Sequence, residues 1–321
     1  MSGPFKLELF HEVLEYKNCT FICCASFEDR CFSIASRIKP NQIKKALICE
    51  HEDATKYVER NTNKILSHFG QKSEKVALNL SDPIKTINNL VHALEVNDIV
   101  QSDLFLVDIS TFTHESLLIL LNLLQSKKKK EATVWIIYTT ALDYSTQHTK
   151  TDKWLSKGIK QIRSVIGFPG LLFPSKKLHL IVLAGFEEER ANKLIENYEA
   201  NFISIGVGSR TESIHPSLYE LNNSYHKRLC NLYQNIETFT FSLINPFTAK
   251  KNFQEQIAKH PECNVVIAPL NTKISTVGAA LTAMENPEIQ LCYAQPNYYN
   301  VESYSSPGSE FYLFDLTKSL S

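Results

Sequence analysis

Three polar turns carry most of the side chains in this sequence that could do chemistry. Asn271-Thr272-Lys273 follows the apolar run Val265–Ala268 and precedes a small-residue segment, Ser275–Met284. A short β-branched run fits a buried strand, and Thr272 or Ser275 fits the N-cap of a following helix. Backbone N–H groups at a helix start suit an anion, and Lys273 adds a formal positive charge there. The second turn is Asp108-Ile-Ser-Thr-Phe-Thr-His-Glu115. Ser110, Thr111 and Thr113 can donate to a phosphate or ribose, or cap a helix. Asp108 suits a ribose hydroxyl or a turn cap. His114 and Glu115 resemble an acid/base pair, but adjacent helical residues point in different directions. The third turn is Ser26-Phe-Glu-Asp-Arg30. Arg30 there can clamp a phosphate or pair with a turn carboxylate.

Other polar segments are less specific. Gln295-Pro-Asn297-Tyr-Tyr-Asn300 and Tyr304 can hold a base by stacking and edge hydrogen bonds, or pack a junction. Gly206-Val-Gly208-Ser-Arg210 lacks the full dinucleotide fingerprint and reads as a flexible loop. Phe27 and Phe186 read as packing staples. No P-loop, nucleophile elbow or metal-ligand spacing is visible, so no metal and no cofactor is expected.

To position such turns the chain needs strands and helices in alternation, and it has them. With 321 residues, 43% of them hydrophobic, it can bury two cores. Lysine plus arginine equals aspartate plus glutamate, at 34 each. That argues against general nucleic-acid or anionic-membrane binding. The eight cysteines form no Cys-x-x-Cys pair, no apolar run nears membrane-spanning length, and the N-terminal residues show no signal-peptide core. A cytoplasmic protein with buried thiols is expected.

Strands are expected at Thr20–Ala25, Ala46–Glu50, Lys75–Leu80, Asp103–Ile109 and Ala132–Tyr138, with an alternating edge strand at Ile159–Ile166. Helices are expected between them, including one from Cys31 to Ile38. Gly167–Pro174 breaks the pattern with two prolines and two glycines. From Lys177 the programme restarts. Leu180-Ile-Val-Leu-Ala-Gly185-Phe-Glu187 echoes Phe21-Ile-Cys-Cys-Ala-Ser26-Phe-Glu28, and Phe239–Pro246 echoes Val76–Pro83. The Asn271–Lys273 stretch echoes Phe105–Thr113, and Phe311–Leu316 takes the place of Ile159–Ile166. The reading is α/β: two tandem Rossmann-like, three-layer α/β/α domains with mainly parallel sheets, at residues 1–166 and 177–321, joined by a linker at 167–176. Like domains tend to pair with pseudo-twofold symmetry, so the turns after strands one and four are expected around a shared cleft.

This repeated unit, with Asn271-Thr272-Lys273 after its fourth strand and small residues behind it, resembles the CRISPR-associated Rossmann fold (CARF). Fused pairs of such domains resemble the SAVED sensors of prokaryotic antiviral defence. The resemblance implies a sensor that binds a nucleotide-type ligand, such as a cyclic oligonucleotide second messenger, and signals to a separate effector protein. The implied ligand-binding residues are Ser26, Arg30, Asp108, Ser110, Thr111, Thr113, Gly185, Asn271, Thr272, Lys273, Gln295 and Asn297. The rival reading is a nucleotide hydrolase or glycosidase using Asp108 and Glu115. A third is a scaffold without a ligand. A carboxylate with a raised pKa in an apolar pocket would favour the enzyme.

Overall fold

Unbroken apolar runs become the central strands, as burial on both faces of a parallel sheet demands. In the computed structural model, which describes residues 2–52, 55–96, 98–145 and 153–320, the strands in chain order begin with β1 (Phe5–Lys6), β2 (Cys19–Ala25), β3 (Ile43–His51) and β4 (Ser73–Leu78). They continue with β5 (Leu104–Asp108), β6 (Thr133–Tyr144), β7 (Ser156–Lys157), β8 (Gln161–Pro169), β9 (Leu178–Leu183) and β10 (Phe202–Gly208). The last are β11 (Ile236–Phe241), β12 (Asn264–Pro269), β13 (Gln290–Gln295), β14 (Tyr298–Tyr299) and β15 (Ser305–Asp315). The helices are α1 (Phe10–Val13), α2 (Lys56–Phe69), α3 (Pro83–Val96) and α4 (His114–Lys127), then α5 (Glu188–Tyr198), α6 (Tyr219–Asn231), α7 (Pro246–Ile257) and α8 (Lys273–Glu285). The helix expected over Cys31–Ile38 is instead a 3-10 turn, Asp29–Phe32, followed by further turns.

Two large sheets result. One has the order β1-β15-β6-β5-β2-β3-β4 and the other β11-β10-β9-β12-β13-β8. Strands β2 to β6 pair in parallel, as do β9 to β13. From β4 and β11 inward, both sheets run third, second, first, fourth, fifth strand. This is the doubly wound order, used twice. The chain is therefore α/β, with two Rossmann-like units.

The expected division at 1–166, 167–176 and 177–321 is corrected by the sheet edges. Contacts group residues 1–146 with 301–321, and 147–300 separately. Strand β8 pairs antiparallel with β13 of the following half, and β15 pairs antiparallel with β6 of the preceding one. Each edge strand thus completes the sheet of the other half. The second unit is an insertion into the first, and the expected linker lies inside it. Gly167–Pro169 is strand, and Leu171 N–H donates to Glu288 O. An alternating edge strand states which face it buries, not which sheet it joins.

The first core gathers Phe10, Phe21, Phe69, Leu106, Ile137 and Phe311, and the second Leu180, Leu194, Ile205, Val266 and Cys292. Gly206 and Gly208, expected in a flexible loop, lie in β10. A Cβ at Gly206 would come within 2.7 Å of the Phe239 ring, so packing against β11 explains that glycine. A Cβ at Gly278 would come within 2.9 Å of Ala249 Cβ and Pro246 O. The small face of α8 therefore packs closely on α7.

Candidate functional site

Polar side chains gather where β9 and β12, or β2 and β5, end. In the second unit Asn271 Nδ2 donates to Ala184 O, and Asn271 Oδ1 accepts from Thr272 N–H at 2.9 Å. Gly185 is required beside this turn, because a Cβ there would come within 2.7 Å of Leu270 O. Thr272 Oγ1 accepts from Ser275 N–H at 3.1 Å, and Ser275 Oγ donates back to Thr272 O at 2.8 Å. Lys273 is then the first residue of α8. Asn271, Thr272 and Lys273 are all partly exposed.

The first unit builds its fourth turn on the same cap. Thr113 Oγ1 accepts from Ser116 N–H at 3.1 Å, and His114 opens α4. Thr113 and Thr272 are thus matching N-caps. Replacing either with alanine should cost about 1 kcal/mol, read as a lower urea midpoint with an unchanged slope. Thr111 Oγ1 donates to Cys24 O at 2.5 Å, tying the turn to the end of β2. Ser26 Oγ accepts from Glu28 N–H at 3.3 Å, and Ser26 O accepts from Asn61 Nδ2 at 2.8 Å.

Asp108 closes β5 with its carboxylate inside. Its Oδ1 accepts from Ser110 N–H at 3.0 Å and from Ser110 Oγ. Ser110 Oγ in turn accepts from Thr139 N–H at 2.8 Å. Asp108 Oδ2 and Thr139 Oγ1 are buried and, among the described residues, have no hydrogen-bond partner. Burial pushes the Asp108 carboxyl up to about 6, against the Ser110 hydrogen bonds and the Arg30 charge, which favour the carboxylate. Burial raises the nearby thiols of Cys23, Cys24 and Cys31, and the Asp108 charge acts in the same direction. Glu115, the second residue of α4, is buried too.

A raised carboxyl means that the folded chain holds this proton where the unfolded chain has released it. Asp108 should therefore destabilise the fold progressively as pH rises from about 4 through about 6, by a total on the order of 3 kcal/mol, and add no further slope above that. Comparing urea midpoints of the native chain and Asp108→Asn between pH 4 and 7 isolates this slope. Equal slopes would mean that Asp108 titrates normally.

Arg30 takes the ion-pair alternative. Its Nε donates to Glu28 Oε2 at 2.8 Å and its Nη1 to Thr139 O at 3.0 Å, with the guanidinium 5.6 Å from the Tyr138 ring centroid. Ser305 Oγ donates to the same Glu28 oxygen, and Tyr138 and Tyr144 hydroxyls meet at 3.2 Å. The second unit repeats every part. Arg190 Nη1 lies 2.5 Å from Glu187 Oε2, and Nη2 donates to Ala294 O. Ser156 Oγ donates to Glu187, and the Tyr293 and Tyr299 hydroxyls meet at 3.2 Å. Both arginines are 3% exposed. Burial opposes their charge, but the adjacent glutamate holds each guanidinium above its usual range.

The repeated Phe-Glu followed by arginine was the visible trace of this network. The serine partners left no local signal. Phe27 packs edge-on against Tyr304 and Phe186 against Tyr225, as staples do. Gln295 is buried, and its Oε1 accepts from Arg163 at 2.9 Å. Asn297 is exposed beside Gly158, outside both strand-end clusters. Among the described residues, no group of three His, Cys, Asp or Glu side chains could hold a metal, and no helix is long and apolar enough to cross a membrane.

No family model matches the chain, and no curated protein matches it. Solved structures give distant likenesses. One is the pyocyanin biosynthetic protein PhzM, at 12% identity and TM-score 0.26 over 42% of this chain and 36% of that one. Another is the cytoplasmic domain of a prokaryotic cation chloride cotransporter, at 9% identity and TM-score 0.26 over 89% and 99%. A third is a periplasmic ribose ABC transporter from Conexibacter woesei, at 12% identity and TM-score 0.25 over 84% and 70%. The chain spans little more than a third of the first of these structures, and TM-scores this low assign no function.

Proposed function

We propose that this protein is a sensor that binds a nucleotide-type ligand at the carboxyl ends of its parallel strands and signals to a separate effector protein. The observation that carries the reading is the partly exposed Asn271-Thr272-Lys273 turn, where a cation and a capped helix start occupy the place at which doubly wound sheets bind ligands. A cyclic oligonucleotide and an antiviral role are the finer form of the proposal, and they rest on the CARF and SAVED resemblance. In this reading the protein works in the cytoplasm.

Mass spectrometry of co-purifying small molecules identifies the ligand class. A panel of ribonucleoside triphosphates, cyclic mononucleotides and cyclic di- and triribonucleotides, followed by thermal shift and calorimetry, tests it. Lys273→Ala should weaken binding of the active member roughly 10- to 150-fold, the loss of one charge-assisted hydrogen bond, with little change in melting temperature. A sharp fall in melting temperature with intact affinity would make Lys273 structural. If no panel member binds, the scaffold reading gains.

A second reading, nucleotide hydrolysis or glycosidic cleavage using Asp108 and Glu115, is favoured by one observation: burial pushes the carboxyl of Asp108 up to about 6. Turnover of a panel member by the native chain, abolished in Asp108→Asn, would establish it.

A further inference from the structure

The internal repeat supplies a control for what the fold itself requires. Asp108 stands opposite Cys23 in the β2–β5 register, and Ala268 stands opposite Val182 in the β9–β12 register. Cys23 and Val182 are matched residues of the repeated first strand, so Asp108 corresponds to Ala268; the turn after Asp108 is one residue longer up to its N-cap than the turn after Ala268. Thr139 corresponds to Ala294, because each gives its carbonyl to the buried arginine and each follows the tyrosine of a matched pair. The second unit therefore builds the same two strand ends from alanines, both buried.

The Glu–Arg–Tyr–Ser network is common to both units. The Asp108–Ser110–Thr139 trio belongs to the first alone. It is also poorly satisfied. Asp108 is 2% exposed and Thr139 fully buried, and the trio leaves one carboxylate oxygen and one hydroxyl without partners among the described residues. Buried polar groups are ordinarily paired. Asp108 pairs with Ile137, two residues before Thr139, so both orphans lie on one face of the sheet, and in a place the fold can fill with apolar groups they call for an occupant.

The chemistry of the orphans restricts that occupant. Asp108 Oδ2 accepts when ionised, and Thr139 Oγ1 can donate as well as accept. A phosphate would be repelled by the carboxylate, and an ammonium could not accept from threonine. A hydroxyl does both, donating to Asp108 and accepting from Thr139. We infer that the trio is a hydroxyl-binding site taking a ribose hydroxyl of the nucleotide-type ligand, an assignment that rests on the ligand reading given above. Both atoms are closed from solvent, so the ligand reaches them only when the strand ends open. Water carries the same hydroxyl chemistry, and the test separates the two.

The ribonucleotide panel is run beside its 2′-deoxy counterparts on the native chain, on Thr139→Val and on the double variant Asp108→Ala/Thr139→Ala, which copies the second unit. Thr139→Val keeps the side-chain shape and removes only the orphan hydroxyl. In the native chain the 2′-deoxy form of the active member should bind about tenfold more weakly or worse. Thr139→Val and the double variant should lose this discrimination while melting, unliganded, at or above the native temperature. Equal binding of both forms by the native chain would mean that a buried water is the occupant and overturns the assignment. Undiminished discrimination by Thr139→Val, or a drop of several degrees in its unliganded melting temperature, would overturn it as well. If no panel member binds the native chain, the ligand reading itself fails and takes the assignment with it.

Discussion

Residues 147–300 expressed alone should fold cooperatively, and a chain ending at Asn300 should lose the first sheet. The inserted unit is continuous and contains every strand of its six-stranded sheet. The first unit needs β15, which lies between β1 and β6. Removing residues 301–321 strips Phe311, Leu313, Phe314 and Leu316 from the core, each at most 2% exposed. At about 1.5–3 kcal/mol for each buried side chain, the loss is roughly 6–12 kcal/mol, against a usual domain stability of about 5–15 kcal/mol. It also exposes the edge of β6 to aggregation. A fragment spanning residues 177–321, the division that periodicity favours, would carry β15 without its partners and lack β8. Circular dichroism melts and limited proteolysis of the three chains decide the matter. A sharp melt for 177–321 and none for 147–300 would show that the edge strands do not cross over.

Arg30→Ala should be among the most damaging single substitutions, and Arg190→Ala should match it. Each leaves a glutamate buried without its counter-charge, and breaking a buried pair in this way costs about 3–5 kcal/mol. For units of this size that lowers the melting temperature by roughly 6–20 °C. The paired change Glu28→Gln with Arg30→Met should cost less than Arg30→Ala, because the orphaned charge is gone. If Arg30 instead clamped a ligand phosphate, Arg30→Ala would abolish binding and leave the melting temperature nearly unchanged. Thermal melts of these three variants, with and without the active panel member, separate these outcomes. Ser305 and Ser156 close the two networks from the segments that cross over. Ser305→Ala and Ser156→Ala should therefore weaken the fold in the same direction by a smaller amount.

The sequence by itself determined the alternation of strands and helices, because a strand buried on both faces must be apolar throughout and a capped helix start needs its hydroxyl at one fixed place. Thr20–Ala25 and Val265–Ala268 are central strands as their apolar runs indicate, and Thr113 and Thr272 cap, each one of the candidates its turn offered. The duplication was legible for the same reason, since each copy must meet the same local demands. Only the tertiary structure decided where β8 and β15 pair, because hydrogen bonding along a strand edge is blind to sequence distance and neither strand's pattern names the sheet it joins. Likewise no local pattern joined Glu28 to Ser305 or Arg190 to Ala294; the first contact spans 277 positions and the second 104. The trio at Asp108, Ser110 and Thr139 needed the β5–β6 pairing before its third member could be seen. Its difference from the second unit needed the two registers side by side. Spacing along the chain places residues on elements, and register between elements decides which of them meet.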